Sequence, residues 1–239
     1  MSETYYAGGY WGPRQESPEG CAQRLEGFLK GLSSLDSSFA HWYETAKSPK
    51  ASLKRPLRPD HEALTRLIQK NKDPVFDDLG FSVGGWNGEP LAHEDCGFLL
   101  RCGSHDARTH NRCVFSLPSR GASADRVLSA PVLSSMLRET AAAWEPDWGV
   151  AMSHAHRDMV DAHRVPKSPY VGWVTYLTQR RGTVPPLPAP VRVEPVEGKG
   201  TLIVLTPERF TASNLEHVAL AERVRGLLDQ AGLLKPLSP

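Results

Sequence analysis

The chain has 239 residues, 40% of them hydrophobic, which is enough to build one large domain or two small ones. Lys and Arg number 28 against 27 Asp and Glu, so the formal charge of +1 excludes a chain-wide field that would recruit nucleic acid or an anionic membrane. The first residues carry no signal pattern, and no apolar run approaches the roughly 18 residues that span a bilayer. We therefore expect a cytoplasmic protein.

The cysteines are spaced too far apart for a Cys-x-x-Cys metal site. A chain of this length needs no disulfide for stability, so we expect reduced and mostly buried thiols. They are Cys21, Cys96, Cys102 and Cys113.

The first half of the chain predicts the order strand, helix, three strands, helix. Residues 4–12 favour a strand because Tyr and Trp concentrate there. Ser17 and Pro18 then begin a helix, since serine caps free amides and proline fits the first turn. Short links between the next three strands favour antiparallel pairing. The remaining elements of this half are strands at 80–86, 97–102 and 112–117 and a helix at 127–144, with a fresh start at Ser129.

Residues 33–60 predict a loop-rich excursion, because Lys and Arg alternate there with proline. The charges of this loop are expected to face solvent. Asp60 then caps a short helix that ends at residues 71–74.

The second half predicts the same order of elements. Strands are indicated by β-branched and aromatic residues, and the last two form a hairpin. The last helix begins with a capping box from Ser213 to Glu216 and ends at Gly232. The other elements are a strand at 149–153, a helix at 154–163, a strand at 170–177, an extended connector at 185–190, and strands at 191–196 and 201–205.

These patterns predict an α+β fold, with a mostly antiparallel sheet and helices packed on one face. The turn from Trp144 to Gly149 separates two pseudo-repeat halves, residues 4–144 and 148–234, that share the order β-α-β-β-β-α. Their sequences share little identity, so a duplication is a hypothesis about topology. We expect a single domain over residues 1–239.

Two residue patterns resemble ligand-binding sites, a glycine-rich segment and a group of His and Asp residues. Both are better explained without a ligand. The glycines of residues 8–12 match neither the Rossmann nor the P-loop spacing. A second group of potential metal ligands lacks a known spacing motif, and we prefer to explain it as a polar helix face rather than as a metal site. Its members are His154, His156, His163, Asp158 and Asp161.

A nuclease is the alternative from a different class. Asp147 after Pro146, with Glu197 and Lys199, resembles a restriction-type site in which two carboxylates hold Mg²⁺ and a lysine stabilises charge on the phosphate. About fifty residues separate the two pieces, and a hairpin turn explains the second one equally well. A Mg²⁺-dependent nuclease or hydrolase therefore stays open as the alternative function.

Large aromatic residues at strand ends are more often packing residues than a binding cage. We therefore take five tryptophans as structural landmarks, and a small-molecule site built on them is a third reading. They are Trp11, Trp86, Trp144, Trp148 and Trp173.

Several segments, taken in their order and spacing, resemble the immunity protein 52 family of bacterial polymorphic toxin systems. The likeness spans most of the chain. The segments are Tyr10-Trp11-Gly12-Pro13-Arg14, Glu16-Ser17, Cys21-Ala22, Phe39-Ala40-His41-Trp42-Tyr43, Leu79-Gly80-Phe81-Ser82-Val83, Trp86-Asn87-Gly88 and Trp144-Glu145-Pro146-Asp147-Trp148-Gly149.

The resemblance implies a cytoplasmic immunity protein that binds and neutralises a cognate toxin, often a nuclease with a restriction-endonuclease-like fold. It implies no enzymatic activity, no cofactor, and no direct contact with nucleic acid or membrane. Toxin contacts are expected on exposed acidic loops rather than on the aromatic scaffold. The candidate contacts are Glu89, Glu94, Asp95, Asp73, Asp77 and Asp78.

Overall fold

A computed structural model describes residues 3–236 of the protein. Its strands form one nine-stranded antiparallel sheet. The strands are β1 (Tyr5–Trp11), β2 (Tyr43–Glu44), β3 (Phe81–Trp86), β4 (Gly97–Cys102), β5 (Asn111–Ser116), β6 (Trp148–Ser153), β7 (Val174–Thr178), β8 (Arg192–Val196) and β9 (Gly200–Val204). Their spatial order is β2-β3-β4-β5-β1-β6-β7-β9-β8.

Seven α-helices accompany the sheet in the described residues, so the predicted α+β fold is confirmed. They are α1 (Pro18–Ser33), α2 (Pro49–Ser52), α3 (His61–Lys70), α4 (Gly121–Val127), α5 (Ala130–Trp144), α6 (His154–Asp161) and α7 (Leu215–Gln230).

The N-terminal strand β1 lies in the middle of the sheet. It pairs with β5 on one side and β6 on the other, so that Gly8 lies opposite both Val114 and Val150. Gly9 allows helix α5 to approach closely, since a Cβ there would lie 2.6 Å from Cγ2 of Thr140. Strand β1 therefore joins the two halves of the chain into one sheet.

One face of the sheet is packed against helices and forms the core. Trp11 of β1 stacks on Trp144 of α5, with ring centroids 5.5 Å apart. Phe28 of α1 meets the ring of Phe115 of β5 edge-on at 5.7 Å. Because side chains alternate along a strand, the neighbours of these residues point to the opposite face.

Helix α6 lies on that opposite face. Tyr6 and Tyr10 alternate with Trp11 along β1, and Arg157 of α6 lies over the Tyr6 ring at 5.8 Å. The helices thus do not all share one face, although α1 and α5 do. Helix α6 is short and covers only part of this face of the sheet.

Two of the predicted helix caps are confirmed and the third is wrong. Ser17 accepts a hydrogen bond from the Gly20 amide at 3.2 Å, and Asp60 caps α3 in the same way. For α7 the cap is Asn214, not Ser213, because the Asn214 side chain accepts from the amides of Glu216 and His217. The capping box was therefore placed one residue too early.

The fresh helix start predicted at Ser129 is confirmed, since α4 ends at Val127 and α5 begins at Ala130 with Ser129 as its N-cap. Other differences reflect contacts between distant parts of the chain. The strand expected at 170–177 starts only at Val174. Before it the chain crosses over β6, where a Cβ on Gly172 would lie 2.5 Å from Cγ2 of Val150. Helices α2 and α4 and the two-residue strand β2 were not predicted.

The two halves share their order of elements but not their strand pairing. In the first half β1 pairs with the last strand, β5, whereas in the second half β6 pairs with the next strand, β7. A duplication therefore remains a proposal that rests on element order alone. The predicted domain bounds of 1–239 include residues 1–2 and 237–239, which lie outside the described residues.

Within residues 3–236, no helix is both long enough and apolar enough to cross a bilayer. All four cysteines are free and buried, as predicted, and burial raises the pKa of the Cys113 thiol.

Candidate functional site

The sheet face opposite α1 and α5 is uncovered over its first half, and we call this surface the open face. It consists of the outward side chains of β3, β4, β5 and β1, including Trp86, Leu99, Val114 and Tyr10. Leu99 is 47% exposed although it lies on an interior strand of the sheet. One exposed leucine is ordinary, but Leu99 lies in a groove with Trp86 and Val114, and a contiguous apolar surface is typical of one that another molecule covers.

A groove of about 780 Å³ runs along this face beneath the segment that contains α2. Its floor is mostly apolar, and Trp86 forms one end, tilted against Tyr43 with ring centroids 6.4 Å apart. The lining residues are Tyr10, Thr45, Ala46, Lys47, Ser48, Pro49, Ser52, Gly85, Trp86, Gly97, Phe98, Leu99, Arg112, Val114 and Ser116.

A second cavity, of about 460 Å³, continues the groove towards α6, and we call it the basic pocket. It shares Tyr10, Arg112, Val114 and Ser116 with the groove, so the two form one surface. Its lining residues are Tyr6, Tyr10, His110, Arg112, Val114, Phe115, Ser116, Trp148, His154, Arg157, Asp161, Arg164, Lys167 and Tyr170.

The basic pocket has more cations than carboxylates. Arg157 pairs with its neighbour Asp158 at 2.7 Å, and Arg164 pairs with Asp161 at 3.2 Å. The two other cations, Arg112 and Lys167, form no ion pair with any residue that the structure describes. The pocket therefore presents two uncompensated positive charges.

Two uncharged donors of the pocket also lack partners. The Tyr6 hydroxyl and the Trp148 indole N–H are buried without a hydrogen bond in the described structure. Burial raises the pKa of Tyr6, so this phenol stays protonated and can donate. Tyr10 stacks on Trp148 at 4.2 Å, and burial raises its pKa to about 12. The pocket is thus rich in donors and poor in acceptors.

The predicted acidic contacts are placed in two separate loops. Glu94 accepts a hydrogen bond from the Ser123 amide at 3.1 Å, which lowers the pKa of this carboxyl. Glu89 accepts from the Leu91 amide within its own loop, and burial raises the pKa of Asp95. These three residues follow β3 in the chain.

The other three acidic residues precede β3. Asp73 accepts from the amides of Val75 and Phe76, and these hydrogen bonds lower the pKa of its carboxyl. Asp77 pairs with Lys72 at 2.8 Å. Asp78 lies in the same loop, where its carbonyl accepts from Ser104. The six residues of β3 separate the two acidic loops by roughly 17 Å, so they form two surfaces rather than one.

The residues of the nuclease alternative do not meet as a site. Asp147 accepts from the Gly12 amide at 3.0 Å, and Lys199 donates to Glu145 at 2.7 Å. Both line a polar cleft of about 440 Å³, but Glu197 is exposed on the β8–β9 turn outside this cleft.

The histidines and aspartates of α6 also point apart. His156 is 1% exposed and packs against Phe210, with ring centroids 4.7 Å apart, and burial lowers its pKa. His154 contacts Thr4 instead, and Asp158 pairs with an arginine. In the part of the chain that the structure describes, no three His, Cys, Asp or Glu side chains are grouped so that they could hold a metal ion.

Four of the five landmark tryptophans are core residues. Trp11, Trp144, Trp148 and Trp173 are at most 3% exposed, whereas Trp86 is half-buried and lines the open face. The sequence analysis did not predict the open face or the basic pocket, because their residues are spread between positions 6 and 170 and only the fold brings them together. The only local signal was the outward Leu99 in a strand whose other face is apolar.

Comparison with known proteins agrees with this architecture. A family model described as Immunity protein 52 matches residues 3–237. A solved Pseudomonas aeruginosa T6SS protein is similar in structure, with a TM-score of 0.57 and 13% identity over 99% of this chain and 78% of that one. At this identity the likeness shows the fold alone. A search of curated proteins gave no significant match.

Proposed function

This chain belongs to the immunity protein 52 family, and on that premise we propose that it binds and neutralises a cognate bacterial toxin. The observation that carries the proposal is the family match over nearly the whole chain. The finer proposal is that the toxin is a nuclease with a restriction-endonuclease-like fold. The protein would act in the cytoplasm as a binding protein rather than as an enzyme.

The open face is the surface best suited to the toxin. Interfaces between proteins concentrate their binding energy in aromatic and arginine side chains around an apolar centre. Trp86, Tyr10 and Arg112 surround Leu99 and Val114 in this manner. The acidic loop that carries Glu89, Glu94 and Asp95 follows Trp86 directly in the chain, so it is a proposed rim of the same contact.

The loop with Asp73, Asp77 and Asp78 lies at the other end of β3 and would be a second, separate contact. The similar solved structure is named a T6SS protein, and by analogy we propose that this chain also acts in competition between bacteria, with the toxin delivered by a secretion system of that type.

Co-expression tests the proposal. A candidate toxin, sought among the neighbouring genes, is induced in a bacterial host with and without this chain, and growth is followed. We expect growth to be restored and the two purified proteins to bind tightly with fixed stoichiometry in calorimetry. Continued growth arrest together with absence of binding would overturn the proposal.

A nuclease assay separates the alternative function. The purified chain is incubated with DNA and RNA in the presence of Mg²⁺, and no cleavage is expected. If the wild-type protein cleaves either substrate and Glu197→Ala abolishes the cleavage, the chain is a nuclease using Asp147, Glu197 and Lys199. The exposed position of Glu197, away from the cleft of the other two, argues against that result.

A further inference from the structure

We infer that the basic pocket is the receptor for a carboxylate side chain of the toxin, inserted from an apolar segment that covers the open face. The inference rests on the proposed function, because it names the chemistry by which this surface recognises its partner. Nothing in the family match assigns the pocket.

Three donor groups belong to residues that line the pocket and have no partner in the part of the chain that the structure describes. Arg112 has no ion-pair partner in the described residues, and the Tyr6 hydroxyl and the Trp148 indole N–H have no hydrogen-bond partner there. Tyr6 is 4% exposed and Trp148 is 3% exposed. A buried donor without a partner destabilises the fold, and a carboxylate, with two acceptor oxygens, can accept from more than one donor at once.

Like charges are also held together at this place. Arg112 of β5 lies directly opposite Arg101 of β4, and like charges in such a pair destabilise a sheet. Lys167 has a left-handed backbone at φ 67°, which is unfavourable for a residue with a Cβ. Its charge lowers the pKa of His110, after burial as the larger cause. An incoming anion would offset the repulsion among these positive charges.

A carboxylate fits this pocket better than a phosphate or a nucleic acid. Asp161 lines the pocket and accepts from the Tyr170 hydroxyl at 2.5 Å, so a phosphate with nearly two negative charges would be repelled more than a carboxylate with one. The rings of Tyr10 and Trp148 are already stacked on each other at 4.2 Å, so a base has no room between them. The apolar groove that continues from the pocket suits a protein segment.

The first arm of the test uses the toxin identified by the co-expression experiment. Arg112→Gln and the nearly isosteric Tyr6→Phe are compared with the wild type by calorimetry, after their folds are checked by circular dichroism. Arg223→Gln is the matched control, because Arg223 is exposed on α7 and unpaired in the described structure. We expect affinity to fall tenfold or more for Arg112→Gln, less for Tyr6→Phe, and not at all for Arg223→Gln. Unchanged affinity in Arg112→Gln, with toxin binding intact, would overturn this inference and leave the proposed function standing.

The second arm does not need the toxin. The indole N–H resonance of Trp148, assigned with Trp148→Phe, is followed by NMR during titration with N-acetyl-aspartate amide. We expect a saturable shift that is absent with N-acetyl-asparagine amide and in Arg112→Gln. Tighter binding of inorganic phosphate, or of an RNA oligonucleotide, at the same resonance would overturn the carboxylate assignment. If the toxin fails to bind the wild type, the proposed function falls while this titration still decides the chemistry of the pocket.

Discussion

Asp147 accepts a hydrogen bond from the backbone amide of Gly12 through its Oδ2 atom, at 3.0 Å. The bond connects the turn between the two halves of the chain to the end of β1, while the Asp147 carbonyl accepts from Thr178 and from Arg181. Asp147, which the sequence analysis considered as a catalytic residue, therefore connects Gly12, Thr178 and Arg181, which lie in three different parts of the fold.

Removing this carboxylate should weaken the fold. Asp147→Ala leaves the Gly12 amide without its acceptor, and we expect the free energy of unfolding to fall by about 1–2 kcal/mol. Asp147→Asn retains a side-chain oxygen and should lose less. Urea denaturation of both variants measures the difference, and equal stability of Asp147→Ala and wild type would contradict a structural role.

Trp144→Ala should be much more destabilising. Trp144 is fully buried, stacks on Trp11 and meets the edge of Phe28 at 6.2 Å. Replacing such a side chain by alanine costs roughly 3–5 kcal/mol because of lost apolar burial and the cavity left behind. The loss is measured by chemical denaturation, and Trp86→Ala is the comparison, since the half-buried Trp86 should cost less.

Acid should destabilise the protein through His156. Burial lowers the pKa of this histidine from 6.5, against the smaller opposing effects of Glu222 and Glu3, so the folded chain binds its proton less readily than the unfolded chain. Stability therefore falls as the pH drops below about 6.5, by at most ~1.4 kcal/mol per pH unit until the folded pKa is reached.

The unfolding free energies of His156→Leu and wild type at pH 7.5 and 5.5 test this dependence. We expect the variant to lose less stability on acidification than the wild type. His41→Gln, at an exposed position, is the control and should behave as the wild type does. An identical pH dependence in all three proteins would show that His156 does not carry the effect.

Glu94 should contribute to stability as well as to any toxin contact. Its carboxylate caps the start of α4, where Arg120 offers no side-chain cap. We expect Glu94→Ala to lower the Tm. Because the pKa of Glu94 is depressed, its contribution is present above the unfolded pKa and is lost as the pH falls through the folded value.

The Tm difference between Glu94→Ala and wild type should accordingly shrink in acid, as scanning calorimetry would show. A constant difference down to the folded pKa would contradict the assigned cap. Glu89→Lys is the cleaner test of an acidic toxin contact, because the Glu89 carboxylate only bonds within its own loop.

Leu99→Glu should weaken toxin binding without unfolding the chain. Leu99 lies opposite Val114 on the open face, and a charge there would have to be buried beneath the toxin. We expect affinity to fall tenfold or more in calorimetry. Leu215→Glu is the matched control, because Leu215 is 79% exposed at the start of α7 and does not line the groove. Equal losses in the two variants would remove the open face as the contact.

Local chemistry explains how much of the fold could be predicted. The helix start at Ser17 and the strand at 97–102 follow from neighbouring residues, and the structure places both as expected. Helix α4 could not be found in this way, because its cap, Glu94, lies far away in the chain. The error at α7 arose because Ser213 and Asn214 are both good caps, and only the backbone decides between them.

The candidate site could not be predicted from the sequence, for a different reason. The acidic residues were visible as charged loops, but the donors of the basic pocket are Tyr6, Arg112, Trp148 and Lys167, which only the pairing of β1 with β5 and β6 brings together. A near-neutral chain gave no sign of a local excess of cations. The resemblance to a family identified the class of function and left its surface undefined.

The central place of β1 sets the timing of folding during synthesis. This strand is made first, yet its partner β5 follows about 100 residues later and β6 later still. At 5–20 residues per second, β1 waits roughly 5–20 s before either neighbour exists. Its apolar surface stays unpaired in that interval, and sheets built from such distant segments fold slowly. An N-terminal fragment that ends before β5 therefore lacks both neighbours of its central strand and is not expected to fold by itself.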